Sequence, residues 1–225
     1  CLGEHLERWA REAPEHCFLA ERAGAVWRRL TFGEALAQAR SIGAALLARG
    51  LSAERPAMVL SDNSIDHALL MLGAMHVGIA GLLKPGLVYA ADGAKFAGVL
   101  GSVDFGGAEI VLGANAPAGM KWTPFGELLQ QKAGAEVDRA FSAIGPDTIA
   151  KFLFTSGSTG EPKGVINTQR MLCSNQQAVT QLWPFLDEKP PVILDWLPWN
   201  HTFGANHNFN IVLANGGTLY IDDGK

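Results

Sequence analysis

Thr155-Ser156-Gly157-Ser158-Thr159-Gly160-Glu161-Pro162-Lys163-Gly164 is the run whose reading decides the fold. Three glycines, four hydroxyl side chains and a lysine fall inside these ten residues. Phe152-Leu153-Phe154 leads in and Val165-Ile166 leads out, so the run is a bend between two strands. Glycines let backbone N–H groups approach a guest closely, and hydroxyls and a lysine add donors and positive charge. The guest this chemistry suits first is a polyphosphate.

Two familiar phosphate motifs do not fit. A Walker A loop needs glycine immediately before its lysine and Ser or Thr after it; here Pro162 precedes Lys163 and Gly164 follows. Gly157 and Gly160 lack the spacing of the dinucleotide fingerprint. A flexible Ser/Gly hairpin is the plain alternative. Pro162 weighs against it, because its ring fixes the backbone just before Lys163.

The string TSGSTGEPKG resembles the phosphate loop of the adenylate-forming (AMP-forming) synthetases: acyl- and aryl-CoA synthetases, luciferases and peptide-synthetase adenylation domains. Residues 151–155 (KFLFT), 164–177 (GVINTQRMLCSNQQ), 195–204 (DWLPWNHTFG) and 215–225 (NGGTLYIDDGK) resemble the feruloyl-CoA synthetase branch. The resemblance covers nearly the whole chain and is densest from Ile144 onward.

The resemblance implies an α/β fold of parallel-rich sheets flanked by helices, part of the large N-terminal domain of an adenylate-forming enzyme. It implies an acid-thiol ligase that uses ATP, Mg²⁺ and coenzyme A. A carboxylate attacks the α-phosphate of ATP, pyrophosphate leaves, and the acyl group passes from AMP to CoA. The expected acid is a hydroxycinnamate such as ferulate, which points to phenylpropanoid degradation. Benzoate, a fatty acid or an amino acid are the alternatives, as is a non-catalytic nucleotide-binding module that kept the loop. Thr155, Ser156, Ser158 and Thr159 are the expected hydroxyl donors to the phosphates. Gly157, Gly160 and Gly164 complete the phosphate-binding set, and Lys163 offsets charge on the departing pyrophosphate.

A second constellation is Trp199-Asn200-His201-Thr202-Phe203-Gly204. By resemblance His201 stands beside the α-phosphate and the acyl carboxylate. It is not assigned as a general base, because a carboxylate is already ionised at neutral pH. His201, Phe203, Asn206, His207 and Phe209 are the expected acyl pocket. Asn206 and Phe209, three apart, share a helix face. A phenyl ring wants apolar walls and its hydroxyl wants one polar partner, for which His207 is the candidate. Trp183, Trp196 and Trp199 are assigned to the core. Asp222 and Asp223, adjacent on an extended chain, point to opposite faces and read as a solvated turn. No metal ligands are expected.

The totals set bounds. The 225 residues suffice for one large or two small domains, and 48% hydrophobic content can fill a core. Net charge is −4, from 18 basic and 22 acidic residues, which argues against a general nucleic-acid binder. Cys1, Cys17 and Cys173 are too far apart for a metal motif or a disulfide framework, so a reduced, cytoplasmic setting is expected. No basic segment precedes an apolar stretch at the start, so no signal peptide is expected. Residues 68–83, interrupted by His76, fall short of the roughly 20 needed to span a membrane. The expected partners are the small aromatic acid, ATP and CoA, with neither nucleic acid nor membrane. A homodimer is compatible with this.

Taken in order, residues 2–13 read as a helix stopped by Pro14, and residues 17–20 and 26–30 as a hairpin. Thr31 and Glu34 have capping-box spacing, an apolar stripe runs from Phe32 to Leu47, and Gly50 suits the stop. Asn63 can cap a helix over 65–77. Strands at 57–60, 87–90 and 108–112 alternate with helices, which indicates a parallel sheet covered on both faces. Residues 149–154 deliver the phosphate loop and 164–167 return from it. Thr168 can cap a helix over 169–182. Residues 192–197 read as buried strand, 205–214 as helix and 218–221 as strand. The expected division is about 1–145 and about 146–225, two subdomains of an incomplete adenylation domain. Where the resemblance leads one to expect an extended segment with prolines and an aromatic and then a polar helix, Val77-Gly78-Ile79-Ala80-Gly81-Leu82-Leu83 runs straight into Lys84-Pro85-Gly86. Either the chain is shortened there or the sequence joins residues across a missing loop. Adenine-, ribose- and Mg²⁺-binding segments and the C-terminal domain are absent before Lys225, so this piece alone is expected to be inactive.

Overall fold

The computed structural model describes residues 1–79, 84–155 and 163–222. The first elements are helix α1 (Leu2–Glu12), strands β1 (Cys17–Ala23) and β2 (Val26–Thr31), helix α2 (Phe32–Ala48), β3 (Ala57–Leu60) and α3 (Ile65–His76). Next come β4 (Leu87–Asp92), α4 (Ala97–Ser102), β5 (Glu109–Ala114), β6 (Thr123–Pro124), α5 (Phe125–Gln130) and α6 (Ala135–Ser142). The last part holds β7 (Ile149–Thr155), β8 (Lys163–Thr168), α7 (Gln169–Leu182) and β9 (Val192–Asp195). A π-helical turn (Phe203–Asn208), α8 (Phe209–Ala214) and β10 (Thr218–Ile221) follow.

The chain forms two units. One is Cys1–Ala37, Asn63–Ile65 and Gly145–Lys225; the other is Gln38–Asp62 and Asp66–Ile144. This division differs from the expected one, because the first 37 residues belong with the last part. The reason is a parallel pairing of β1 with β10, Leu19 opposite Leu219 and Ala20 opposite Tyr220. The sheet order is β2-β1-β10-β9.

In this first unit the expected hairpin forms, with Gly24 at φ +63° supplying the turn. Phe18, wholly buried, stacks on Phe32 at 4.6 Å and meets Phe209 edge-on at 5.7 Å. The capping box closes: Thr31 N–H donates to Glu34 Oε2 at 2.8 Å and Glu34 N–H to Thr31 Oγ1 at 3.3 Å. β7 and β8 are antiparallel, with Thr155 opposite Lys163 and Lys151 opposite Asn167. Thr168 caps α7 by accepting from Met171 N–H at 3.3 Å.

Two expectations are corrected. Residues 192–197 are not buried strand throughout: β9 ends at Asp195, with Val192 67% and Leu194 54% exposed. Successive strand side chains face opposite ways, and only the alternate set turns inward. Asn63 does not cap α3. Glu21 Oε2 accepts the Ile65 N–H at 3.1 Å instead, which frees the Asn63 amide for another task.

The second unit carries an all-parallel sheet in the order β3-β4-β5-β6. Leu87, Val88, Tyr89 and Ala90 are all buried, the unbroken apolar run that marks a parallel strand covered on both faces. Before α4, Asp92 Oδ1 accepts the Ala94 and Lys95 N–H groups in a turn at 2.9 and 3.0 Å. His76 is buried and stacks on Phe141 at 4.2 Å. Burial, with the Arg40 guanidinium nearby, pushes it down to about 4. The junction at 78–85 falls largely on residues 80–83, outside the described residues. Among the described residues, no helix is long and apolar enough to cross a membrane.

Candidate active site

β7 and β8 bring the two ends of the Ser/Gly bend together, Thr155 opposite Lys163 and Phe154 opposite Gly164. Lys163 is exposed and Gly164 half-buried. Ser156, Gly157, Ser158, Thr159 and Gly160 lie outside the described residues, as do Glu161 and Pro162. Earlier on β7, the half-buried Lys151 donates from Nζ to the Ala205 carbonyl at 3.4 Å. Burial pushes its ammonium down to about 7.

The second constellation hangs on Asp195, which sequence reasoning passed over, and on Asn63, which it read only as a helix cap. The Asp195 carboxylate, 1% exposed, accepts three hydrogen bonds. Its Oδ1 takes the Leu197 N–H at 3.2 Å and the Asn208 Nδ2 at 2.8 Å, and its Oδ2 takes the Trp199 Nε1 at 3.1 Å. Asn63 grips the same loop with both amide atoms. Its Oδ1 accepts from Trp199 N–H at 2.9 Å and its Nδ2 donates to the Leu197 carbonyl at 2.8 Å. Gly204 lets the loop close on the π-helical turn. A Cβ there would sit 2.6 Å from the Leu197 carbonyl oxygen and 2.7 Å from that of Pro198.

His201 occupies the bend of this loop. Its N–H donates to the Pro198 carbonyl at 3.1 Å and its carbonyl accepts from Ala205 N–H at 3.0 Å. Its side chain is exposed and is not among those lining the cavity described next, so the structure does not join it to the acyl pocket. The residue after it, Thr202, is at the cavity wall.

That cavity has a volume of about 450 Å³, within the usual range of small-molecule sites. One wall comes from the π-helical turn: Phe203 and His207 stack at 4.7 Å with 13° between their planes. Trp183 meets His207 edge-on at 5.8 Å. Met171, Leu172 and Asn175 of α7 and Asn167 on β8 also line it. Asn206 completes the lining, its Nδ2 donating to Asn167 Oδ1 at 2.8 Å. Gln176 Nε2 holds the Asn206 carbonyl at 3.0 Å. Gln176 Oε1, Asn206 Oδ1 and both amide heteroatoms of Asn210 are buried with no hydrogen-bond partner among the described residues. Such orphaned polar atoms are rare in a plain core, and π-turns also concentrate at functional sites.

Three expected residues, Phe203, Asn206 and His207, therefore meet at one cavity. Phe209 does not. It is wholly buried in the core between Phe18 and Trp199, 5.1 Å from the latter. The wider pitch of the π-turn breaks the three-residue spacing that would have set Asn206 and Phe209 on one face. Trp199 is core as expected, but Trp183 and Trp196 are 42% and 59% exposed. Asp222 is no free turn residue; it pairs with Arg22 at 3.0 Å. Asp223 lies outside the described residues. Asn167, Met171, Leu172 and Asn175 were not singled out in the sequence. The only hint was the density of amides in NTQRMLCSNQQ. Among the described residues, no group of three or more His, Cys, Asp or Glu could hold a metal ion.

Chemically, the cavity offers a flat aromatic wall, an aliphatic wall and polar groups at its margins. It suits a planar apolar guest bearing a polar substituent.

Known proteins resemble this chain throughout. The family model described as AMP-binding enzyme matches residues 6–83 and 102–225. A methyl-dioxo-octahydro-indenyl-propanoyl:CoA ligase of Rhodococcus jostii is 32% identical over 117 residues, covering 52% of this chain and 21% of that protein. The ATP-bound structure of MatB from Rhodopseudomonas palustris superposes with a TM-score of 0.75 at 22% identity, covering 98% of this chain and 45% of that one. A fatty acyl-adenylate ligase from L. pneumophila, solved with acyl adenylate and pyrophosphate, gives a TM-score of 0.72 at 17% identity, covering 98% and 39%. The α/β fold is thus shared with these enzymes. The chain spans less than half the length of each of the three.

Proposed function

We propose, on the premise that this chain belongs to the AMP-binding enzyme family, that the complete protein is an AMP-forming aryl-acid:CoA ligase acting on a hydroxycinnamate such as ferulate. In the first step a carboxylate oxygen attacks the α-phosphorus of ATP. The new C–O–P bond forms as the bond to the β-phosphate's bridging oxygen breaks, and pyrophosphate leaves with its electron pair. In the second step the CoA thiolate attacks the acyl carbonyl and AMP leaves.

The residues divide the work. The bend from Thr155 to Gly164 grips the β- and γ-phosphates, and the Lys163 charge offsets that of the leaving pyrophosphate. His201 stands at the meeting point of carboxylate and α-phosphate. The cavity of Phe203, Asn206 and His207 takes the aromatic ring. Mg²⁺ arrives with the nucleotide. A cytoplasmic setting goes with this reading, as does a place in phenylpropanoid degradation.

The observation that carries the proposal is the stacked Phe203–His207 pair lining the same cavity of about 450 Å³ as Met171 and Leu172. A linear fatty chain needs no flat wall with polar margins. The test is AMP release by the full-length protein given ATP, CoA and ferulate, against benzoate and a medium-chain fatty acid. Ferulate should lead. Equal turnover of the fatty acid would remove the hydroxycinnamate, and no AMP with any acid would favour a non-catalytic nucleotide-binding module. Lys163→Ala should lower turnover by about 10-fold or more.

A further inference from the structure

His207 lines the cavity, and its neighbours fix which of its nitrogens carries the proton. Asp195 is the first link. A carboxylate oxygen accepts, so the Asn208 atom 2.8 Å from Asp195 Oδ1 is the donating Nδ2. That settles the orientation of the Asn208 amide and turns its Oδ1 the other way. This Oδ1 lies 3.0 Å from His207 Nδ1. A carbonyl oxygen cannot donate, so His207 carries its proton on Nδ1. In the neutral ring Nε2 is then left with a lone pair. Among the described residues Nε2 has no hydrogen-bond partner, and it is not one of the buried orphan atoms.

The rest of the site holds this arrangement in place. Leu197 N–H and Trp199 Nε1 also donate to the Asp195 carboxylate, which holds it beside Asn208. Stacking on Phe203 and the edge of Trp183 hold the imidazole plane. Sequence order obscures the relay. Asp195 ends a strand, and Asn208 and His207 lie 12 or more residues on, past the loop that carries His201.

We infer that Asp195 and Asn208 are positioning residues that set His207 as a hydrogen-bond acceptor, so the cavity selects aromatic acids bearing a hydrogen-bond donor on the ring. The inference rests on the aryl-acid reading above and sharpens it. A 4-hydroxycinnamate offers an O–H to Nε2. The 4-methoxy analogue offers only acceptors and sets its oxygen against the Nε2 lone pair. A site built around one hydrogen bond discriminates against an analogue lacking it far better than a pocket discriminates a methylene.

The test uses the full-length protein and two readouts. The first is the ratio of kcat/KM for 4-hydroxycinnamate to that for 4-methoxycinnamate. It should be about 10-fold or more in the wild type, carried mostly by KM, and should fall to near one in His207→Phe, which keeps a ring against Phe203. Asn208→Ala should shrink it partway. The second is the ¹⁵N spectrum of His207, which should show a protonated Nδ1 and a pyridine-like Nε2 in the wild type and lose that bias in Asn208→Ala. An Nε2–H tautomer in the wild type, or a ratio unchanged in His207→Phe, overturns the inference. If no aromatic acid is turned over, the proposed reaction fails, and the wild-type spectrum still decides the relay.

Discussion

Both units carry exposed charge pairs, such as Arg22–Asp222 in one and Arg40–Asp138 in the other, but they differ in what their amide side chains do. In the unit of residues 38–62 and 66–144, charged groups end on each other. Arg49 pairs with Glu109 at 2.8 Å, and Thr123 donates to the same carboxylate at 2.7 Å. Arg40 pairs with Asp138 at 2.5 Å. In the other unit, amides and one carboxylate bond one another: Asn63 and Asp195 hold the loop at Leu197 and Trp199, Asn208 joins Asp195, and Gln176 and Asn167 hold Asn206, with Asn167 and Asn206 lining the cavity. Half-exposed charge pairs close on themselves and hold a fold. Amides carry both a donor and an acceptor, so each can be fixed by a neighbour on one side and still present the other. The contrast separates a scaffold from a site without reference to any motif.

Removing the hub of the second arrangement should cost most. Asp195→Ala leaves the Trp199 and Asn208 donors and the Leu197 N–H without their acceptor, so we expect a loss of about 3–4 kcal/mol and near-background ligase activity. Urea unfolding and AMP release check this; a loss below about 1 kcal/mol would erase the contrast.

Next in size is an acid effect confined to the scaffold unit. The folded value of His76, about 4, lies below the ordinary 6.5. Between the two the unfolded chain binds more protons, so stability falls as pH drops from about 6.5 toward 4. The loss is on the order of 3 kcal/mol and is complete below the folded value. Hydrogen exchange of β4 amides at pH 7 and pH 4.5 should show it in the wild type and less of it in His76→Leu. An equal pH response in both would reassign it to the carboxylates.

Smallest should be Arg40→Ala. The Arg40–Asp138 pair is 25% and 61% exposed on its two sides, so breaking it should cost under about 1 kcal/mol and leave AMP release unchanged. A loss rivalling that of Asp195→Ala would break the comparison from the other end.

How much of this was legible beforehand follows from how far apart the partners lie. The β7–β8 pairing, the Thr31–Glu34 box, the Thr168 cap and the β1–β2 hairpin are each written within a couple of dozen residues, and each could be read. The pairing of Leu19 with Leu219 and the grip of Asn63 on Trp199 cross most of the chain, and no local pattern carries them. Phe209 was misplaced for another reason. Regular helical spacing assumes a regular helix, and the turn just before it is a π-turn. Asp195 looked bland because its importance lies in three donors, none of which the string DWLPWNH announces.

The central claim is that an aromatic acid is activated with its ring in the cavity beside the phosphate bend. The most direct measurement is a structure of the full-length protein with a non-hydrolysable feruloyl-adenylate analogue. The account predicts the ring between Met171 and the Phe203–His207 stack, its hydroxyl toward His207 Nε2, and its phosphate group beside the bend of residues 155–164. A ring bound elsewhere, or a phosphate remote from that bend, would contradict it.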